Sequence, residues 1–554
     1  MKKLVRILTG LYSILFAAML FTAAAVGLIF RIRMERGIEN DRPLFVMHDF
    51  RAYIPLLVLT AAVLFLLMKF FASHPAVRER TVLVIALITA GVLSLWFIWL
   101  VKGLPTSDAN TLNQIIDRIL EGDLSDIRGP ATGERWYLGI YPFQITYVFT
   151  GEIIGRLFGP DRFIVYQLLN VISILLTVLL LYGIARVCFE EKGAALWTAV
   201  LSAGMLFLFL YSSHIYNDIW SIAPQTAALY FAVRYLKNGR LRDGIFCAIG
   251  MALSVFFKSN CYIALVAVEI MMFLSLLQQT GQKKSSGMRE ENTAAASRRV
   301  PQWAVTLILM ILMPLLCRAL TGAVSDLYAR RAGMESMPGG TPAVAYFAMG
   351  MREGDNSYGW YNGYNAWVIQ EYDYDSAAAA ERSAADMKAS IAEFTRRPKY
   401  AVKFYLMKFL SQWLDPTCCS MREYELTARH QEGKQPAVLQ DYIFGKRAYL
   451  IEQLTDVYHT LIYILVLVYL ILSAVRARQK RKETGEYEGI GTGPALLILF
   501  ILGGMLFHQI WEASSRYVLR YYIAMIPLAG AGLSGLFQAL TKKSKPMYDS
   551  NQKI

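Results

Sequence analysis

The feature that most limits how this chain folds is a series of long apolar blocks separated by short polar stretches. Blocks near 5–30, 52–71, 81–101, 162–187, 194–212 and 219–236 are each long enough to cross a hydrocarbon core, which takes roughly 17 to 25 residues. Others follow near 243–257, 260–277, 303–320, 457–475, 494–511 and 517–540, giving about twelve spans in all. In lipid a backbone must satisfy its own polar groups, and blocks this continuous are helices rather than barrel strands. The expected fold is therefore an all-α polytopic membrane protein. Hydrophobic residues make up 55% of the 554 and charged residues 18%, which is not the balance of soluble domains. The first block, LYSILFAAMLFTAAAVGLIF, exceeds a signal-peptide core and is followed by RIRMER, so it reads as a retained anchor.

A net charge of +14 suggests nucleic acid, but the basic residues lie between spans and form no basic domain, so no nucleic-acid partner is expected. They serve better as topology signals. Lys2, Lys3 and Arg6 precede the first span, Arg78 and Arg80 follow the second, and Arg234, Lys237, Arg240 and Arg242 follow the sixth. Lys283, Lys284, Arg289, Arg298 and Arg299 fill one linker, RARQKRK another, and KKSK follows the last span. All fall on one side if both termini are cytoplasmic, the arrangement of a multi-pass protein of a bacterial cell membrane. The segment RIRMERGIENDRPLFVMHDFR is basic yet would lie outside, where Glu35, Glu39, Asp41 and Asp49 offset most of its charge.

That topology divides the chain into spans 1–3 (residues 1–101), a first outer loop with interfacial helices (102–161), core spans 4–9 (162–320), a small extracytoplasmic domain between spans 9 and 10 (321–455), and spans 10–12 with a cytoplasmic tail (456–554). The linker QQTGQKKSSGMREENTAAASRRVP has the composition of a flexible connector. In the first outer loop, Tyr137, Tyr141, Phe143 and Tyr147 suit headgroup depth. In the second, MREGDNSYGWYNGYNAW is rich in Gly, Asn and Tyr, as either a sugar-contacting surface or an ordinary turn-rich loop would be. Elaborated polar chain on one face places the chemistry there.

Candidate residues follow from that face. Asp108, in KGLPTSDANTL, sits where the third span meets the interface; Ser107 or Asp108 would cap the helix that follows, and Asp108 is also placed to act as a base. Asp218, in YNDIWS, lies at the same depth in a tight turn, either as an ordinary turn aspartate or as half of a carboxylate pair. Lys258, in FFKSN, either snorkels or holds a phosphate. FHQIWEASSRYVLRYYIAMIP places Glu512, Arg516 and Arg520 at the outer face, against the charge bias, which an anionic headgroup would explain. The six histidines, His48, His74, His214, His430, His459 and His508, are scattered, and the six cysteines show neither zinc-type spacing nor a disulfide framework. No Walker A or dinucleotide fingerprint occurs, so soluble nucleotide donors and ATP-driven transport are unsupported, while an energised transporter of another type stays open.

Taken in order, SDA, YPFQ, YNDIWS, FFKSN and RYVLRYYIAMIP resemble the motifs of the GT-C superfamily of polytopic glycosyltransferases, which includes protein O-mannosyltransferases and aminoarabinose transferases. GWYNGYN and PKYAVKFYLMKFLSQWLDPT are similar to segments of the Gram-positive bacterial members of the glycosyltransferase 39 type. Two departures stand out: Asp108 follows the third span rather than the first, and Asn217 stands where the family has glycine. The resemblance implies inverting transfer of a sugar from a polyprenyl-phosphate donor to a cell-envelope glycan, lipid or protein on the extracytoplasmic face. It assigns catalysis to Asp108 and Asp218, and donor phosphate binding to Lys258, Arg516 and Arg520. Glu152, Glu512, Tyr141, Gln144 and Tyr517 are further candidates. No cofactor is required and no metal ligands are assigned, although a divalent metal is compatible with the family. Competing readings are a flippase or transporter of lipid-linked sugars, and a polymerase acting on them. The large outer loop suits acceptor recognition better than alternating access, and no internal repeat is evident.

Overall fold

The structure is a computed structural model that describes residues 2–74, 77–129, 135–189, 193–283, 301–430, 437–485 and 489–542. Most of the expected connector, part of RGPATGERW and most of the basic tail lie outside these residues. Helices form over all twelve expected apolar blocks. Nine stretches among the described residues are long and apolar enough to cross a membrane, and a tenth is the bent pair Ala194–Ser202 and Leu206–Ser213, which turn by 44°. The two that fall short are Ile222–Asn238 and Leu241–Phe257, of 17 residues each. At 1.5 Å per residue they reach about 25 Å, less than the roughly 30 Å of a bilayer core. They pack against each other and against neighbouring long helices.

The bundle turns apolar side chains outward. Ile14, Val58, Leu66, Ile88, Trp99 and Ile311 are each about 60–70% exposed, an arrangement costly in water and matched to lipid. Inside, one apolar cluster runs from Phe16 and Phe97 through Trp197, Met251 and Phe500 to Tyr521. A second, smaller cluster gathers Leu112, Ile116, Tyr147, Trp220, Tyr328 and Val368 at one end. The chain is thus a polytopic helical membrane protein, with its polar elaboration at that end.

One element departs from the all-helical expectation. Phe30–Met34 (β1) and Pro43–Met47 (β2) pair antiparallel, with Phe30 opposite Met47 and Met34 opposite Pro43. FRIRM alternates apolar and charged residues, the period of a strand, but over only five positions. The hairpin also explains the basic segment that disagreed with the charge rule. Arg31 pairs with Glu452 at 2.9 Å and Asp456 at 3.2 Å, and Arg36 with Glu452 at 2.7 Å. These cations are neutralised by the helix Lys446–Thr484 and are not free to signal topology.

Candidate active site

Residues next to the ends of six membrane helices, together with the hairpin tip and the loop region 341–426, close around a cavity of about 440 Å³. Among its lining residues are seven of the expected site residues: Asp108, Tyr141, Gln144, Lys258, Glu512, Arg516 and Tyr517. They come from sequence positions hundreds of residues apart, so the fold brings them together.

Asp108 lies in the first turn of the helix Ser107–Leu120, whose cap residue is Thr106. Neither Ser107 nor Asp108 is the cap, which corrects the sequence expectation. Ser107 has φ of 46°, a left-handed conformation that non-glycine residues adopt only where their surroundings hold them. Asp108 is exposed and lines the cavity. Burial, followed by the neighbouring Asp108 charge, pushes the Tyr137 hydroxyl well above the ordinary tyrosine pKa.

Asp218 sits behind the lining, in the turn before the helix Ile222–Asn238. Its Oδ1 is 3.0 Å from Lys258 Nζ, and its Oδ2 is 3.9 Å from Arg516 Nε. Those last two atoms are buried with no hydrogen-bond partner. Burial alone would raise the Asp218 carboxyl, but Lys258 and then Arg516 outweigh it and hold its pKa at about 2. Asn217 donates to the Phe257 carbonyl at 2.5 Å and locks this turn to the one bearing Lys258. Lys258 Nζ and the Arg516 guanidinium lie 4.2 Å and 5.7 Å from the centre of the Tyr216 ring.

Arg520 is one helical turn beyond Arg516 and does not line the cavity. It donates to Gln225 Oε1 at 2.6 Å and to Cys261 Sγ at 2.8 Å, bracing three helices beneath the site. Glu152 is also elsewhere, bound by Arg156, Arg331 and Tyr328. Gln144 donates to the Tyr216 hydroxyl, fixing that ring under the two cations. Burial pushes the Glu512 carboxyl up to about 7 against the pull of Arg516.

Glu423 and Lys408 carried no sequence signal. Glu423, on the helix Ser420–His430, lies 3.5 Å from Arg516 and 3.4 Å from His214. Glu39, Asn40 and Asp41 enter from the hairpin tip. The buried Arg422 holds that tip by donating to the carbonyls of Ile38 at 2.7 Å and Glu39 at 3.1 Å. Lys408, fully buried, donates to the carbonyls of Gly350, Gln509 and Trp511, tying the loop helices to the strand of chain that carries Glu512. Of the four aromatic residues expected at headgroup depth, only Phe143 is exposed: Tyr137 and Tyr141 are buried in the cavity wall, and Tyr147 is buried and bonded to Asn113. Trp360, Tyr361 and Asn365 bring the GWYNGYN region to the wall, and Tyr346 stacks on Trp511 with ring centres 4.7 Å apart.

A second cavity of about 330 Å³ adjoins the first, sharing Phe143, Gln144, Lys258 and Ser259. Its other walls include Val255, Phe256, Phe257, Tyr262 and Gly322. Among the described residues no three His, Cys, Asp or Glu side chains converge as metal ligands would.

Fold and cavity together define a polytopic helical membrane protein with a paired-cation site beside an exposed carboxylate and aromatic walls. Residues 145–287 match the family model of dolichyl-phosphate-mannose-protein mannosyltransferases. The matched stretch includes Glu152, Asp218 and Lys258 but neither Asp108 nor Arg516. No curated protein matches the chain. Among solved structures, ArnT from Cupriavidus metallidurans bound to undecaprenyl phosphate is similar at 14% identity over 81% of this chain and 77% of that one, with a TM-score of 0.26. Backbone overlap at that score is too low to transfer any feature of that structure to this chain.

Proposed function

We propose that the protein is an inverting glycosyltransferase of the GT-C type, which moves a sugar from a polyprenyl-phosphate donor to a hydroxyl of a cell-envelope glycan, lipid or protein. The observation that carries this reading is the meeting of Asp108, Lys258 and Arg516 in one cavity from three distant parts of the chain. The matched mannosyltransferase segment supports it. In this reading the cavity opens on the extracytoplasmic face of a bacterial cell membrane, with both termini inside.

The chemistry follows from the placement of charge. Asp108 takes the proton of the acceptor hydroxyl, whose oxygen attacks the anomeric carbon. The bond from that carbon to the phosphate oxygen breaks, and its electron pair leaves with polyprenyl phosphate. Lys258 and Arg516 neutralise the charge that develops there, where a low dielectric makes each more effective than in water. Asp218 does not touch the reacting atoms; it is a positioning residue that holds the two cations together. Aromatic walls take the sugar faces, and the second cavity, where Val255, Phe256, Phe257 and Tyr262 meet Arg318 and Thr321, takes the first isoprene units of the donor beside Lys258.

The test is purified protein given labelled polyprenyl-phosphate sugars and a panel of envelope acceptors, alongside a flipping assay in vesicles. Transfer that disappears in a folded Asp108→Asn variant supports the enzyme. Lipid movement without transfer, indifferent to Asp108→Asn, would replace it with a flippase.

A further inference from the structure

Three ion pairs and a carboxylate–imidazole contact run in a line through the cavity wall. Lys258 Nζ meets Asp218 Oδ1 at 3.0 Å, and Asp218 Oδ2 faces Arg516 Nε at 3.9 Å. Arg516 Nη1 faces Glu423 Oε1 at 3.5 Å, and Glu423 Oε2 faces His214 Nδ1 at 3.4 Å. The two anions in this line are not equivalent. Asp218 is wedged behind the lining between both cations, so an arriving ligand does not reach it. Glu423 lines the cavity, and its contacts are long: besides Arg516 and His214 it accepts from Thr106 Oγ1 at 3.4 Å. It therefore covers the cavity side of Arg516 without tight geometry.

A phosphate entering this cavity competes with Glu423 for that guanidinium. It brings several oxygens in the arrangement a guanidinium binds in pairs, which one loosely held carboxylate oxygen does not match. Once displaced, Glu423 still has two partners on its other oxygen, the Thr106 hydroxyl and His214 Nδ1. A carboxylate leaving Arg516 thus has somewhere to go.

We propose that Glu423 is an exchangeable counter-ion of the phosphate site: it occupies Arg516 when the site is empty and moves onto Thr106 and His214 when a phosphate arrives. This rests on the glycosyl-transfer reading for the nature of the phosphate's bearer. The exchange also has a direction. Thr106 is the cap residue of the helix on which Asp108 occupies the first turn, so the arrival of the donor changes the charge and hydrogen bonding beside the acceptor's base. Glu423 is thus a positioning residue that acts through Arg516 and Thr106 and couples the two ends of the cavity.

The experiment is equilibrium binding of two probes, a short-chain prenyl phosphate and inorganic phosphate, to the full-length protein in nanodiscs at fixed salt. Glu423→Gln is expected to tighten both by about 5-fold, the factor for removing one competing ion pair at a partly exposed site. Glu39→Gln removes a carboxylate that lines the same cavity without contacting Arg516, and is expected to change either affinity by less than about 2-fold. His214→Gln removes the landing site and is expected to weaken both by about 3-fold. Opposite signs from Glu423→Gln and His214→Gln are not the result of a merely structural role, which would weaken binding in both. In turnover, Glu423→Gln lowers the donor KM and kcat together. Unchanged or weaker phosphate binding in Glu423→Gln, or an equal gain in Glu39→Gln, would overturn the exchange while leaving the transfer reading intact. Failure of the unmodified protein to bind either probe would overturn both.

Discussion

Two of the ionic clusters in the molecule, those around Glu152 and Arg516, are built differently. Around Glu152, two carboxylate oxygens accept five hydrogen bonds: Arg156 supplies two at 2.9 and 2.7 Å, Arg331 two at 2.7 and 2.9 Å, and the Tyr328 hydroxyl a fifth. Around Arg516, the contacts to Asp218 and Glu423 are 3.9 and 3.5 Å, and Arg516 Nε has no hydrogen bond. The first cluster is saturated and joins the helix Ile145–Phe158 to the helix Gln302–Arg331. The second is held in place but left under-satisfied, and it alone faces a cavity. A buried polar group without a full set of partners is costly, so such a cluster persists where a ligand completes it. That contrast separates Glu152, a lesser candidate in the sequence, from Asp218, which the family resemblance marked for catalysis.

Substitutions on the two sides should therefore fail in different ways. The largest effect is expected at Asp108, where Asp108→Asn removes the acceptor's base and should lower kcat by about 10³-fold with the fold retained, measured by initial rates at saturating donor. Next, Arg516→Ala should raise the donor KM by about 30-fold and leave the acceptor KM nearly unmoved, checked by titrating each substrate separately. On the saturated side, Glu152→Gln breaks pairs with Arg156 and Arg331 and should cost about 2 kcal/mol of stability, seen as a lower Tm, while activity per folded molecule stays the same. A loss of activity there without loss of stability would erase the distinction between the clusters.

The smallest effect concerns pH. Burial raises Glu512 from its ordinary carboxylate value to about 7, so in the folded protein it is neutral at pH 6 and ionised at pH 8. Its contribution to stability is complete below the ordinary carboxylate range and is lost as pH rises through about 7. The same ionisation adds a negative charge beside Arg516, so the donor KM should rise about 3-fold between pH 6 and pH 8. Glu512→Gln should flatten that rise, and a slope unchanged by the substitution would exclude Glu512 as its source.

Much of this was legible in the sequence because lipid imposes a simple rule on it. Apolar blocks marked the helices, and the position of acids and cations relative to those blocks put Asp108, Lys258, Glu512 and Arg516 on one face. The hairpin was hidden because five-residue strands give periodicity too little length to register. Its charges also misled, since Arg31 is answered by Glu452 and Asp456 from more than four hundred residues away. Glu423 was hidden for a related reason. SMREYELTARH has the composition of a solvent-facing helix, yet Arg422 on it is turned toward the hairpin tip and Glu423 toward the cavity. Long-range pairing of polar residues leaves no local pattern. Asp108 carried the opposite difficulty, because its local pattern suggested a cap, whereas Thr106 holds the cap position and makes no side-chain capping bond.

The measurement that bears most directly on the cavity as a glycosyl-transfer site is the anomeric configuration of its product. Purified protein, a polyprenyl-phosphate sugar of known anomer and a hydroxyl acceptor are incubated, and the new linkage is read by NMR. Direct attack assisted by Asp108, with phosphate leaving toward Lys258 and Arg516, gives a product of inverted configuration. A retained anomer, or a donor left uncleaved with every acceptor, would contradict it.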